Sequence, residues 1–347
     1  MKNESSIVLV TGGKGFVGSR LVKRLLDAGN KVVVVDNMSY GNEDNMIIDD
    51  EDISRKIDFY QDDVANNLSY IFEKYNFDYV FNIAGIAPLP DCQMNKEACL
   101  RSNVQGTMNM LELSRMYGVK RFFLSSTNAV YENVVEKPMS EDIALNTTLL
   151  YPTSKLMAEE LCRSFNATYG MPTTIFRFAN VYGEGMDIHR KYPPVTGAFI
   201  KKLFHNEQPT IYGNGLQSRD FIYVRDLVDF AFLVMNTSNA SFEILNVGTG
   251  ESHSIIEQLN FVKKCMGKES IEPIYIDEES FWEKMPAIYD GKHRIKDKVL
   301  FDEVNKCTCM DMTKVETVYG WKAKHSFEDG IKLTVEKMVE QLRKAQR

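Results

Sequence analysis

The stretch Ile7-Val8-Leu9-Val10-Thr11-Gly12-Gly13-Lys14-Gly15-Phe16-Val17-Gly18 runs from an apolar strand pattern through a glycine turn into a helical pattern. Glycines at such a junction permit a tight turn, let the backbone approach a pyrophosphate, and let helix and strand pack closely, while the helix N-terminus offers unpaired N–H donors. Glycine turns are common, so the context carries the argument. The next strand pattern, Lys31-Val32-Val33-Val34-Val35, ends in Asp36, eighteen residues past Gly18. A carboxylate there is placed to accept hydrogen bonds from an adenosine ribose. Asn37 follows, with no arginine beside it to meet a 2′-phosphate, so the pattern favours NAD over NADP.

Working outward, the first 180 residues alternate short β-rich runs with longer amphipathic ones, the signature of a parallel sheet covered by helices. Strands are predicted at Ile7–Val10, Lys31–Asp36, Ile57–Tyr60, Tyr79–Ile83, Arg121–Ser125 and Thr173–Phe178. Helices are predicted at Gly15–Ala28, Leu68–Tyr75, Lys96–Met116 and Tyr151–Tyr169. Right-handed βα crossovers place ligands at the carboxyl ends of such strands. After Asn180 the pattern loosens into turn-rich segments, including Tyr192-Pro193-Pro194 and Tyr212-Gly213-Asn214-Gly215. A helix at Leu227–Met235 and a strand at Glu243–Val247 read as a return to the first domain. The expectation is therefore an α/β chain: a doubly wound, dinucleotide-binding parallel sheet over 1–180 with a return at about 221–250, and a smaller mixed α/β substrate lobe from 181–220 and 251–347.

Composition narrows the class. With 347 residues, 44% hydrophobic and 26% charged, the chain is of ordinary globular make-up. A formal net charge of −7 argues against a general nucleic-acid or membrane-surface binder, which needs a basic footprint. No apolar run approaches a bilayer span, Met1 to Ser6 is short and polar, and the expected location is the cytoplasm. The six cysteines show no C-x-x-C spacing and the five histidines are scattered, so no metal site and no disulfide framework are expected. The one close pair, Cys307-Thr308-Cys309, reads as part of an irregular surface segment.

Tyr151-Pro152-Thr153-Ser154-Lys155 sets a phenol and an ammonium on one face of a helix. Nearby positive charge stabilises phenolate and brings a tyrosine toward the range of a general base. The spacing recurs at Tyr70 and Lys74, so context must choose between them. Tyr151 follows the strand end Ser125-Ser126-Thr127 by about two dozen residues, so a hydroxyl and a phenol can meet at the sheet's carboxyl edge. Tyr70 has no such partner and reads as a packing residue.

Together these residues resemble the extended short-chain dehydrogenase/reductase family, in its NAD-dependent epimerase/dehydratase branch typified by UDP-glucose 4-epimerase. The resemblance runs clearly from residue 6 to about 250 and faintly beyond. It implies a Rossmann-type fold whose G-x-x-G-x-x-G motif is Gly12, Gly15 and Gly18, with Phe16 and Val17 inside it and Asp36-Asn37 at the second strand end. Asp63-Val64 matches the pair that contacts adenine, Ala84-Gly85 in Asn82-Ile83-Ala84-Gly85 matches a turn beside the cofactor, and Asn103 opens the N-V-x-G-T segment Asn103-Val104-Gln105-Gly106-Thr107. It implies further that Thr127 is the active-site hydroxyl, Tyr151 the base and Lys155 its partner on the nicotinamide ribose. Arg177-Phe178-Ala179-Asn180-Val181-Tyr182-Gly183 resembles the segment whose asparagine meets a substrate pyrophosphate, and Arg219-Asp220-Phe221-Ile222-Tyr223-Val224 the one whose arginine does likewise. The implied ligands are NAD and a nucleotide-diphosphate sugar.

Three positions depart from the family pattern. Glu132 stands after Val130-Tyr131 where relatives usually carry glycine, Pro152 follows Tyr151, and no R-x-G-D-like element is recognisable across Asp290–Asp302, which reads Lys292-His293-Arg294-Ile295-Lys296 at its centre. By resemblance, 4,6-dehydratases carry Asp-Glu after the active-site threonine and UDP-glucuronate decarboxylases a glutamate. Here Asn128 and Ala129 occupy those positions, and neither exchanges a proton near neutral pH. The expected activity is thus a nucleotide-sugar epimerase working through a 4-keto sugar, ahead of a net 4-dehydrogenase or reductase, then a dehydratase or decarboxylase, then a non-catalytic NAD-binding scaffold on the same fold. A homodimer is expected through the helices around Asn103–Met116 and Tyr151–Tyr169, with Met108, Leu111, Leu161 and Phe165 as candidate interface positions or, equally, core. Glu132 is the nearest alternative acid.

Overall fold

The computed structural model describes residues 5–345; the polar start at Met1–Glu4 lies outside the described residues. Six strands carry the dinucleotide pattern: β1 (Ile7–Thr11), β2 (Lys31–Val35), β3 (Asp58–Tyr60), β4 (Tyr79–Asn82), β5 (Arg121–Thr127) and β6 (Thr173–Phe178). With the strand Phe242–Val247 they make one seven-stranded sheet, from Phe242–Val247 through β6, β5, β4, β1 and β2 to β3. The registers from β6 to β3 are parallel throughout. Strand order reverses between β1 and β4, and in a doubly wound sheet that crevice is where a ligand sits.

The sequence explains why these runs become central strands. β1 and β2 are apolar on both faces, and Val8, Leu9, Val10, Val33, Val34 and Val35 are fully buried. One face packs Leu9, Val33, Val80, Phe122 and Leu124 against Phe72, Leu111 and Phe165 from the covering helices. Across three neighbouring strands, Phe81, Phe123 and Phe176 stack nearly parallel, with ring centroids 4.3 and 5.8 Å apart. β5 runs two residues longer than predicted, so Ser126 and Thr127 keep strand register with Arg177 and Phe178.

The helices around this sheet are α1 (Phe16–Asp27), α2 (Ser69–Lys74), α3 (Leu89–Met94), α4 (Lys96–Leu100), α5 (Gly106–Met116) and α6 (Leu150–Tyr169). The single helix expected over Lys96–Met116 is a correction: α4 and α5 are joined by a π-helical turn, Arg101–Gln105, which inserts an extra residue into the helical ladder and buries Asn103. The dimer positions divide in the same way. Leu111 and Phe165 belong to the core and Leu161 packs against it partly buried, whereas Met108 is exposed, as are Met116, Met157 and Tyr169 elsewhere on the same helices.

The chain parts into two compact units. The first comprises Met1–Val130, Leu150–Phe178 and Val228–Leu245, the second Tyr131–Leu149, Ala179–Leu227 and Asn246–Arg347. Tyr131–Leu149 therefore leaves the expected 1–180 span, and the return narrows from 221–250 to Val228–Leu245. Taken by itself, the second unit is built on small mixed sheets: Ser218–Tyr223 pairs antiparallel with Ser252–Ser254 and parallel with Asn180–Tyr182, and Thr210–Tyr212 pairs parallel with Ile274–Ile276. Its helix Ile255–Met266 is fixed at both ends, by a Ser254/Glu257 capping box and by Gly267 at φ +63°. Among the described residues, no helix is long and apolar enough to cross a membrane.

The tightest constraint in the first unit is the approach of α1 to β1. A Cβ on Gly18 would press on the Gly12 carbonyl oxygen and lie 2.8 Å from its carbon and 2.9 Å from Gly13 Cα. Backbone cannot yield as a side chain does. Gly18→Ala is therefore expected to destabilise the fold by about 1–3 kcal/mol and to weaken NAD binding. A thermal melt with and without NAD checks this, and an unchanged midpoint would contradict it.

Candidate active site

The glycine loop closes on itself before it reaches any ligand. Gly12 donates its N–H to the Val35 carbonyl at 2.8 Å, and Gly15 donates to the Gly12 carbonyl at 3.1 Å. Gly12 takes φ +68°, and a side chain on it would meet the Ala84 backbone at 2.8 Å. Gly15 caps α1 with extended backbone, no side-chain cap and no acidic residue in the first turn. A Cβ on Gly15 would touch only the Gly12 oxygen within 4 Å and otherwise project into open space. The donors of Phe16, Val17 and Gly18 thus open a helix with no carboxylate competing for them, which suits a diphosphate.

Asp36 follows β2 directly and is almost wholly buried. Its carboxylate accepts from Lys14 N at 3.0 Å and from Met38 N at 2.8 Å. Burial pushes its pKa up, while those backbone donors and the Lys14 ammonium pull it back. The Lys14 ammonium is itself held at 2.5 Å from Glu43 and 3.7 Å above the Phe59 ring. Asn37 donates to Asp63 at 2.9 Å, and Asp63 accepts from Ala65 N at 2.8 Å, so the expected adenine-side residues form one hydrogen-bonded rim, with Val64 buried beneath it.

The turn after β4 is fixed from two sides. Thr11 Oγ1 donates to Asn82 Oδ1 at 2.8 Å and accepts from Ala84 N at 3.2 Å. Asn103, turned inward by the π-helical turn, accepts from Ile86 N at 2.8 Å, donates to Ile86 O at 3.1 Å and donates to Ser154 Oγ at 2.9 Å. A Cβ on Gly85 would lie 2.8 Å from Asn103 Oδ1 and 3.1 Å from Lys155 Nζ. A side chain there would press first on the Asn103 amide oxygen and then on the ammonium, so both would have to shift. Thr11, Asn82 and Ser154 are absent from the sequence-based site; their signal is only that each is a buried polar residue at a strand end or on the helix face of Lys155.

Thr127 ends β5, and Tyr151 lies in the first turn of α6, where Pro152 is tolerated because its missing N–H has no helical acceptor. One turn on, Lys155 is buried and donates Nζ to the Ser125 carbonyl at 3.0 Å, two residues before Thr127. Burial pushes its pKa down to about 8. Thr127 Oγ1 accepts from Ala129 N at 3.1 Å, which turns the chain away after the strand. The second Y-x-x-x-K is electrostatically unlike the first. Tyr70 donates to Asp62 at 3.0 Å, and burial together with that carboxylate raises its pKa. Lys74 donates to Tyr60 instead.

The remaining expected residues belong to the second unit. Asn180 begins the strand Asn180–Tyr182. Arg219 turns its guanidinium onto backbone carbonyls, 3.2 Å from Glu303 O and 3.3 Å from Val304 O, and also bonds Lys306 O, closing the C-terminal end of the helix Asp297–Asn305. Glu132 accepts from Thr148 N at 2.7 Å and from Leu149 N at 3.1 Å, besides the Thr148 hydroxyl. Its carboxylate is committed to ordering that loop. Among the described residues no cluster of three or more His, Cys, Asp or Glu could hold a metal ion.

Residues 8–248 match the NAD dependent epimerase/dehydratase family. The chain is 30% identical over 338 residues to the UDP-glucuronate 4-epimerase of Thermodesulfobacterium geofontis, covering 94% of each protein. It is also 30% identical over 333 residues to UDP-glucuronic acid decarboxylase 1 of Xenopus tropicalis, covering 94% of this chain and 71% of that one. Among solved structures, UDP-glucose 4-epimerase from Thermotoga maritima with UDP-glucose superimposes with a TM-score of 0.84 at 31% identity, covering 97% of this chain and 99% of that one.

Two outcomes follow from this geometry. The buried Asp36 carboxylate would repel a 2′-phosphate, so NAD is expected to bind at least about tenfold more tightly than NADP. Equal affinities in a calorimetric titration would contradict that. A lysine can support a phenolate only while protonated, and burial lowers the pKa of Lys155 to about 8. The supporting charge is therefore present below that pH and lost as pH rises through it. Turnover is expected to fall on the alkaline side with a midpoint near about 8, and a profile flat to pH ~10 would contradict the assignment, since a lysine of ordinary pKa would still be charged there.

Proposed function

The chain belongs to the NAD-dependent epimerase/dehydratase family, and from that premise we propose that it is a nucleotide-sugar epimerase acting through a transient 4-keto sugar. Its cofactor is NAD, which when bound would supply the hydride acceptor and donor for the sugar carbon. The uncapped start of α1 fits the diphosphate, Asp36 the adenosine ribose, and the Asn37–Asp63 rim with Val64 the adenine edge. Ala84, Gly85 and Asn103 shape the turn in front of Lys155. Tyr151 takes the proton of the sugar 4-hydroxyl, with Thr127 in the hydrogen-bond relay and Lys155, one helical turn on, supplying positive charge. The ketone then presents its other face and the same groups run in reverse. UDP-sugars are the first class to try, since the similar proteins carry UDP-sugar names. Asn180 is assigned to the substrate diphosphate. Arg219 joins it only by exchanging the carbonyls that now occupy its guanidinium.

One observation carries the choice of epimerisation. Past Thr127 stand Asn128 and Ala129, without a carboxyl group, and the nearest acid in sequence, Glu132, is already bound to Thr148 and Leu149. A route that needs an extra acid or base beside the sugar lacks one in this stretch. The decarboxylase of equal identity keeps that competing reading in play.

Mass spectrometry of products from a UDP-sugar panel separates the readings. Unchanged mass with a new NMR signature is expected, without added NADH; loss of the mass of water or of carbon dioxide, or a change by two hydrogens, would replace epimerisation by the corresponding reaction. Tyr151→Phe is expected to lower kcat at least about a hundredfold with cofactor binding retained, and activity above roughly a tenth of wild type would remove Tyr151 from the base role. The exposed Met108, Met116, Met157 and Tyr169 support a homodimer through α5 and α6. Light scattering is expected to report a dimer, and a monomer at micromolar concentration ends that part of the proposal.

A further inference from the structure

The face of α6 that carries Tyr151 and Lys155 continues one turn further to Glu159, a side chain the mechanism above does not use. Glu159 is 1% exposed and Arg177, its partner from β6, is 3% exposed. The pair is bidentate, with Arg177 Nε 3.1 Å from Oε1 and Nη2 2.7 Å from Oε2. Ser126, from β5, donates its hydroxyl to Oε1 at 2.5 Å. One carboxylate thus ties together the helix of the proton-transfer pair, the strand end between Ser125 and Thr127, and β6, where Arg177 is the register partner of Ser126. A buried ion pair is a costly way to hold a core together, since apolar residues of similar volume often do as well. That cost points to a use beyond packing.

We propose that Glu159 is a positioning residue for proton transfer: held rigidly by Ser126 and Arg177, its carboxylate keeps the buried Lys155 ammonium charged. The proposal rests on the reading of Tyr151 and Lys155 as the proton-transfer pair. The ammonium is buried, among the described residues it donates to a neutral carbonyl, and burial favours loss of the proton. The titratable groups around it are few. Cys92 on α3 and Cys99 on α4 face it across the helices, Cys162 and Tyr151 share its helix, Glu159 lies one turn below, and Arg177 reaches that carboxylate from β6. Cys92 and Cys99, once ionised, favour the charged ammonium ahead of Glu159, and the Cys92 thiol beside Cys99 lowers Cys99 to about 7; Glu159 is the one carboxylate among these groups. Glu159 favours the charged ammonium, opposing the burial. Three hydrogen bonds from two neighbours keep the carboxylate in one place, so its field is fixed.

The test reads Lys155 directly in the full-length protein without cofactor. Lysine is labelled with 13C at Cε, the Lys155 resonance is assigned by its loss in Lys155→Met, and its titration is followed by NMR. Glu159→Gln is expected to move the midpoint down by about half a pH unit or more, and Glu159→Asp, which keeps the charge, to stay within roughly 0.2 units of wild type. Because Glu159→Gln strands the Arg177 guanidinium, Glu159→Gln/Arg177→Met is made in parallel; it removes both charges, and the midpoint is still expected to fall. The alkaline limb of kcat should follow the same order. An unmoved midpoint in whichever carboxylate-free variant is soluble, or an equal shift in Glu159→Asp, overturns the proposal and leaves Glu159 a packing residue. Tyr151→Phe separates the two readings: if it retains activity the base assignment falls while the Lys155 titration still decides what Glu159 does to the ammonium.

Discussion

The first unit is organised around a buried ammonium. Lys155 Nζ lies inside the protein at 3.0 Å from the Ser125 carbonyl, and taking a cation out of water is costly unless its surroundings are arranged for it. Three otherwise separate features answer that demand. β5 runs on to Thr127, so a carbonyl is available at the right depth. Gly85 has no side chain, which leaves room for the ammonium. Asn103, turned inward by the π-helical turn, clamps the Gly85-Ile86 segment through both polar atoms of Ile86. A regular helix through 101–105 would change the angle at which Asn103 leaves its axis, and the clamp with it.

The same economy explains which parts of the fold could be read from sequence. β1, β2 and β6 were legible because strands buried on both faces read as unbroken apolar runs between turn residues, and that signal is local. The glycine loop and Asp36 were legible because their spacing follows from one βαβ unit. The break in Lys96–Met116 was not, since no proline or glycine precedes Gly106 there and the π-helical turn answers to Ile86 and Ser154, which are distant in sequence. The second unit was least legible. Its strands are mostly three residues long and pair across wide gaps, as Asn180–Tyr182 does with Phe221–Tyr223, too short for an alternating pattern to emerge.

Site residues divide along the same line. Residue types identified Tyr151 and Lys155 as candidates, but the difference from Tyr70 and Lys74 is electrostatic and required neighbours: a phenol donating to Asp62 is held protonated, the opposite of what a base needs. Arg219 shows the reverse case. Its six-residue context reads as a diphosphate contact, yet a guanidinium with planar donors also suits the open carbonyls at a helix C-terminus, and here it closes Asp297–Asn305. Sequence cannot choose between two acceptors that present the same geometry.

On the proposed reading, cofactor choice and chemical outcome turn on neutral and anionic groups at two separate strand ends. At the adenosine end, the Asp36 carboxyl is buried, and the one cation of the glycine loop, Lys14, is held by Glu43 and Phe59, so it is poorly placed to welcome a further phosphate. Past Thr127 the arrangement inverts: Asn128 and Ala129 are neutral, and the nearby Glu132 is taken up by its loop. A sugar ketone formed there would meet a phenol, a threonine hydroxyl and an ammonium, but from this stretch no carboxyl group able to pull a proton from a neighbouring carbon or push one onto a departing hydroxyl. Under that constraint the lowest-demand fate of the ketone is to take back what it gave up, which makes reversal, with turnover of the sugar face, the outcome the local chemistry favours.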